Sequence, residues 1–165
     1  MLARQIVESF RDFTPMAVTD ETLYGLLHEC EKLVFEAIGR CEAVSIHCGG
    51  LADLPEGISQ DMVLEVLDRS GRAKYAFVGE KLWCREESCL LVYRPVPQQV
   101  QSDTKLAAGE LYKGLYLYHL VRMCKLMSGD IGGYANFSAL FEERYTALKR
   151  SAKRHEGTAY RGGVL

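Results

Sequence analysis

Cysteine and histidine are the residues in this chain with the greatest capacity for chemistry. Six cysteines (Cys30, Cys41, Cys48, Cys84, Cys89, Cys124) and four histidines (His28, His47, His119, His155) occur in 165 residues. Two subsets lie near one another in sequence: Cys41, His47 and Cys48, and the pair Cys84 and Cys89. Structural zinc sites usually announce themselves as cysteines separated by about two to four residues, supplied in pairs. Here six residues separate Cys41 from Cys48, and the four between Cys84 and Cys89 read as a hairpin reversal. Across such a hairpin the two thiols could approach each other, which invites oxidation more than metal binding. Cys30 and Cys124 fall on apolar helical faces, where cysteine behaves as a small hydrophobe. Cysteines in this setting read as reduced thiols of a reducing compartment.

Other reaction chemistry finds little support. No histidine sits in a Cys/His or Ser/His signature, and the nucleophile-elbow, H-E-x-x-H and phosphate-loop motifs are absent. Gly129-Asp130-Ile131-Gly132-Gly133 is rich in glycine but lies between two helical patterns, whereas a phosphate loop follows a strand. Glu86-Glu87 and Glu142-Glu143 are adjacent carboxylates, which diverge on a strand or a helix and read as solvated faces. Lys149, Arg150, Lys153 and Arg154 cluster where a helix ends, a place favourable to cations through the helix dipole and also able to touch phosphate. The expectation is a protein that is not an enzyme and carries no cofactor and no metal.

Composition bounds the rest. The chain is 48% hydrophobic and 25% charged, the balance of an ordinary globular protein, and its length suits a single domain over 1–165. A formal charge of -2 argues against a dedicated nucleic-acid binder. No apolar run approaches the roughly 20 residues that cross a bilayer, so no membrane partner is expected. Glu8, Arg11 and Asp12 soon after the N-terminus are unlike a signal peptide.

The elements that would position these residues follow from periodicity. Leu2, Ile6, Phe10 and Phe13 repeat at helical spacing and stop at Thr14-Pro15. Thr19 or Asp20 can cap a second helix, whose stripe Leu23, Leu26, Leu27, Cys30, Val34, Ala37 and Ile38 reaches about Gly39. This helical front occupies 1–40. Over 41–97 the period changes to two. Strands are expected around Val44–Cys48, Met62–Leu67, Ala73–Phe77, Leu82–Cys84 and Cys89–Tyr93, broken by Gly49-Gly50, Asp68–Gly71, Val78–Lys81 and Arg85–Glu87. Short connections favour antiparallel neighbours, hence a β-meander of three to four strands. Pro95 and Pro97 end the pairing, and 98–104 reads as a polar, extended linker. A helical hairpin over 105–154 follows, turning at Ser128-Gly129-Asp130. Its second helix carries Tyr134, Phe137, Phe141, Tyr145, Leu148 and Ala152 on one stripe. The remaining 155–165 reads as a flexible tail. The fold class is therefore α+β: helices in front, a small antiparallel meander, and a closing two-helix hairpin packed together.

The order of these features resembles the head–tail connector (adaptor) and related virion structural proteins of tailed bacteriophages, often prophage-encoded. The residues that carry the likeness are Leu54-Pro55, Val63 to Leu67, Gly79 to Leu82, Tyr93 with Pro95 and Pro97, and Ser102-Asp103-Thr104. Leu111, Tyr116, Tyr118, Gly129-Asp130, Phe141-Glu142 and Tyr145 complete it. The cysteine count and the helix at Leu2–Phe13 depart from that pattern. What the resemblance implies is a subunit that self-assembles into a ring and docks on the portal or a neighbouring connector or tail protein, in the host cytoplasm and then in the virion. Tyr112, Tyr116 and Tyr118 have the composition of an interface core, or else pack on the protein's own sheet. Pro95 to Thr104 and the tail are candidate arms that order on assembly, and Lys149, Arg150 and Arg154 are further candidate contacts. A small bacterial or phage interaction or regulatory module is the alternative. A metal- or thiol-dependent enzyme on Cys41, His47, Cys48, Cys84 and Cys89 is the third class.

Overall fold

The computed structural model describes residues 1–159, with side chains through Lys153. Among the described residues four α-helices and seven short strands make an α+β fold. The chain divides into two compact units, Met1–Ile38 with Val96–Leu165, and Gly39–Pro95.

The first unit is helical. α1 (Ala3–Phe13) and α2 (Asp20–Ala37) begin and end close to where their apolar stripes do. Thr19 caps α2, its hydroxyl accepting from the Thr22 amide at 3.3 Å, with Asp20 and Glu21 against the positive end of the dipole. α1 has no such side-chain acceptor for its leading amides. Backbone carbonyls of the segment read as a linker take that place: the Ala3 amide donates to Thr104 and the Arg4 amide to Ser102, at 2.9 and 3.1 Å. The Leu106 amide in turn donates to Met1, and Val100 and Leu106 are buried in the helical core. Residues 100–104 are thus built into the fold of the single subunit, a correction for that part of Pro95 to Thr104, read as an arm that orders on assembly.

α3 (Lys113–Met127) and α4 (Ile131–Ala159) form the expected hairpin. α3 starts eight residues later than the apolar pattern suggests. Gly109, at φ 69° and ψ -173°, occupies backbone space that side-chain-bearing residues avoid. Just before it, the Ala107 and Ala108 amides donate to the Glu31 carboxyl and the Tyr116 hydroxyl, outside any helical ladder. α4 continues through Ala159, so its backbone covers part of the stretch read as a tail; 160–165 lie outside the described residues.

At the hairpin turn Gly129 has φ 78°, and its amide donates to Leu126. Asp130 caps α4 by accepting from the Gly133 amide at 2.8 Å while pairing with Lys125 at 2.9 Å. Those two partners hold its carboxyl below the usual carboxylate range. Replacing Gly129 with alanine forces an L-residue into left-handed space and is expected to lower unfolding free energy by roughly 1–2 kcal/mol. Urea denaturation with an unchanged slope checks this.

The second unit contains all seven strands: β1 (Glu42–His47), β2 (Gly50–Asp53), β3 (Val63–Asp68), β4 (Gly71–Arg72), β5 (Tyr75–Val78), β6 (Lys81–Cys84) and β7 (Ser88–Tyr93). They form two antiparallel sheets, ordered β1-β7-β3-β4 and β2-β6-β5, rather than one meander of three or four strands. Two features of pairing produce the difference. Gly49-Gly50 turns the chain into β2, which pairs with β6 from Gly50↔Cys84 to Asp53↔Lys81. β7 sits between β1 and β3, pairing with both. Buried residues of both sheets (Ile46, Val66, Leu91, Leu82, Cys84 and Cys89 among them) make one core, separate from that of the helical unit.

Candidate functional site

The candidate interface residues fall into three groups. Tyr116 is fully buried. Its hydroxyl donates to Glu31 at 2.6 Å and accepts from the Ala108 amide at 3.1 Å. Burial and the Glu31 carboxyl raise its pKa. This tyrosine is a strut between α2, α3 and the 107–108 segment, and the folded subunit cannot offer it to a second copy, which corrects its reading as an interface residue. Tyr112 and Tyr118 are half-buried against the same helical core. Tyr118 lies 6.2 Å from Phe137, which also takes Phe13 edge-on at 5.9 Å. The tyrosines therefore pack within the helical core of their own unit. Pro95 and Pro97 are half-buried, on either side of an exposed Val96. Lys149 and Arg150 are exposed on α4, and the Lys149 ammonium stands 4.2 Å over the Tyr145 ring. The side chain of Arg154 lies outside the described residues.

Exposed apolar residues reveal a surface that periodicity alone did not single out. Around the α3–α4 turn, Leu126, Met127 and Ile131 are 41%, 61% and 63% exposed. At the other end of α3, Leu111 is 84% exposed. The 15 residues of α3 put about 22 Å between the two ends. Exposed apolar side chains grouped in one place suit docking, whereas single ones are ordinary on a protein surface. In the other unit, Trp83 of β6 stands directly between Leu51 of β2 and Ala76 of β5, all on the outer face. The next row is Asp53, Lys81 and Val78, with an Asp53–Lys81 ion pair at 3.0 Å.

α3 and α4 meet at a buried polar contact. An Arg122 Nη donates to His119 Nδ1 at 3.1 Å, because guanidinium has no acceptor. The same guanidinium stacks 3.6 Å from the Phe141 ring centre, and Phe141 stacks on Tyr145. His119 Nε2, Arg122 Nε, His28 Nδ1 and Ser138 Oγ have no hydrogen-bond partner among the described residues. Desolvation, then the Arg122 charge, depress the His119 pKa to about 4. The imidazole is consequently neutral at physiological pH. It acts here as an acceptor that orients Arg122.

The cysteines separate by position. Cys30 and Cys124 are buried in the helical core, and burial raises both thiol pKa values. Cys41 is exposed. Cys48, Cys84 and Cys89 come together in the strand unit, where Cys84 and Cys89 are buried with sulfurs 3.3 Å apart. The half-buried Cys48 packs against the core that holds both; its own thiol pKa is raised by burial and then by Cys84, and it helps to raise that of Cys89. His47 points to the exposed face, opposite Ser88. No group of three or more His, Cys, Asp or Glu among the described residues is arranged to hold a metal ion. Nor is any helix among them long and apolar enough to cross a membrane. Comparison with protein-family models gives no match, and comparison with curated proteins gives none.

Proposed function

We propose that this protein is a non-enzymatic virion assembly subunit of the head–tail connector type, which self-associates and docks on a portal or neighbouring tail protein. The observation that carries this reading is the placement of exposed apolar side chains at both ends of α3: Leu126, Met127 and Ile131 at one, Leu111 at the other. A ring of identical subunits uses heterologous contacts, in which two unlike surfaces of each copy meet. Exposed apolar side chains just beyond the start of α3 and around its end suit that requirement. The order of the Leu-Pro, Tyr-x-Pro-x-Pro and Gly-Asp signals supplies the family part of the reading.

The test is assembly. In sedimentation and negative-stain microscopy the protein is expected to form rings, alone at high concentration or on adding a portal protein. The double substitution Met127→Lys with Ile131→Glu, which places each charge at the helix end that favours it, is expected to abolish assembly while moving unfolding free energy by less than about 0.5 kcal/mol, as exposed positions do. A chain that stays monomeric and ignores portal and tail proteins would sink the reading.

A second reading is a small interaction or regulatory module. It is favoured by Trp83 exposed between Leu51 and Ala76, since aromatic residues are enriched where partners dock. Trp83→Ala that removes partner binding, with the Met127 and Ile131 variant intact, selects this alternative.

A further inference from the structure

We infer that Cys48, Cys84 and Cys89 form a thiol–disulfide exchange site. In it the half-buried Cys48 admits oxidising equivalents from a soluble disulfide and passes them to the buried pair Cys84–Cys89. Three features of the strand unit carry this. The Cys84 and Cys89 sulfurs lie 3.3 Å apart, so joining them requires closure by only about 1.3 Å to reach disulfide length. The two residues belong to different sheets: Cys84 ends β6 of the three-stranded sheet, and Cys89 lies in β7 at the centre of the four-stranded one. Cys48 stands where the chain crosses from β1 to β2, between the same two sheets, and its amide donates to Glu87 in the 85–87 reversal. Two of the four crossings between the sheets, β1 to β2 and β6 to β7, are therefore flanked by thiols, and the three thiols differ in access.

The exchange proceeds through balanced steps. The Cys48 thiolate attacks one sulfur of the soluble disulfide, forming a mixed disulfide and releasing one small thiolate. Cys89 then attacks the Cys48 sulfur, releasing the second small thiolate and leaving a Cys48–Cys89 bond. Cys84 attacks the Cys89 sulfur, expelling the Cys48 thiolate. The soluble disulfide has been reduced to two thiols. Cys84 and Cys89 have lost two hydrogens, and each released thiolate takes up one of the protons they surrendered. The bond rests on the buried pair because soluble thiols reach Cys48 but not Cys84 or Cys89. The thiolate is the reacting form, so the raised Cys48 pKa makes the first step faster with rising pH.

The experiment uses the full chain carrying Cys41→Ser, which removes the exposed thiol, treated with oxidised glutathione at mildly alkaline pH. The expected product is about 2 Da lighter, with peptide mapping under non-reducing conditions joining Cys84 to Cys89. Adding Cys48→Ser is expected to slow this at least about tenfold, its fold verified by near-UV circular dichroism. Adding Cys84→Ser together with Cys89→Ala instead, which leaves no resolving thiol, is expected to arrest the protein as a Cys48–glutathione adduct. A lasting Cys48 adduct in the chain with all three thiols overturns the proposal. So does a bond elsewhere, or an undiminished rate without Cys48.

Discussion

Glu31→Ala is expected to be among the most damaging single substitutions in the helical unit, lowering unfolding free energy by about 3 kcal/mol or more. Glu31 is 3% exposed on α2, and one carboxyl oxygen accepts both the Tyr116 hydroxyl at 2.6 Å and the Ala107 amide at 2.9 Å. Removing it leaves two buried donors with the full cost of desolvation and opens a small void besides. Tyr116→Phe removes one donor and leaves the Ala108 amide without its acceptor, so a loss nearer about 1–2 kcal/mol is expected. Urea denaturation of both single variants and the double variant should show a coupling of about 1 kcal/mol or more, since the two groups share one network. Additive losses would mean that the two side chains act independently. A loss under about 1 kcal/mol for Glu31→Ala would remove the network from the account of the fold.

Acid should weaken the protein through His119. Its folded pKa is about 4 against an ordinary 6.5, because burial and the neighbouring Arg122 disfavour the imidazolium, with Glu29 on α2 opposing them weakly. The unfolded chain therefore binds the proton more readily than the folded one. The stability contributed by the neutral ring is fully present above about pH 6.5 and is lost as pH falls toward about 4. A shift of this size corresponds to about 3 kcal/mol. Protonation would also deprive Arg122 of the acceptor it uses, Nδ1, since both ring nitrogens then donate. Unfolding free energies measured from neutral pH to about pH 4 should fall more steeply for the native chain than for His119→Gln, whose amide oxygen keeps an acceptor near Arg122. Parallel curves would show that His119 titrates normally.

Residue order alone made the helices legible. The stripes Ile6–Phe10, Leu23–Val34 and Phe141–Leu148 repeat at three or four residues, a signal contained within one element, and each becomes a buried face. The α3–α4 turn was equally visible, since glycine and a capping aspartate act on their own neighbours. The class of the strand region, antiparallel and short, could be read from alternation. Its topology could not. Alternation records which side chains are buried, not which strand lies alongside, and so neither the pairing of β2 with β6 nor the central place of β7 leaves a trace in sequence. The start of α3 was hidden for a related reason: Ala107 and Ala108 give their amides to Glu31 and Tyr116, one of them 76 residues away.

The same division runs through the sites. That Cys84 and Cys89 flank a reversal is written in the chain; that Cys48 joins them from 36 residues before Cys84 is decided by the two sheets that share a core. Tyr112, Tyr116 and Tyr118 looked alike as tyrosines on one helix, and only packing sorted a buried strut from half-buried neighbours. Local propensity and periodicity are sums over a few adjacent residues, whereas burial and hydrogen-bond partnership are properties of segments brought together from afar. Element type therefore belongs to the sequence. Which thiols meet, which tyrosine is withdrawn from the surface and which apolar residues are left uncovered belong to the tertiary structure.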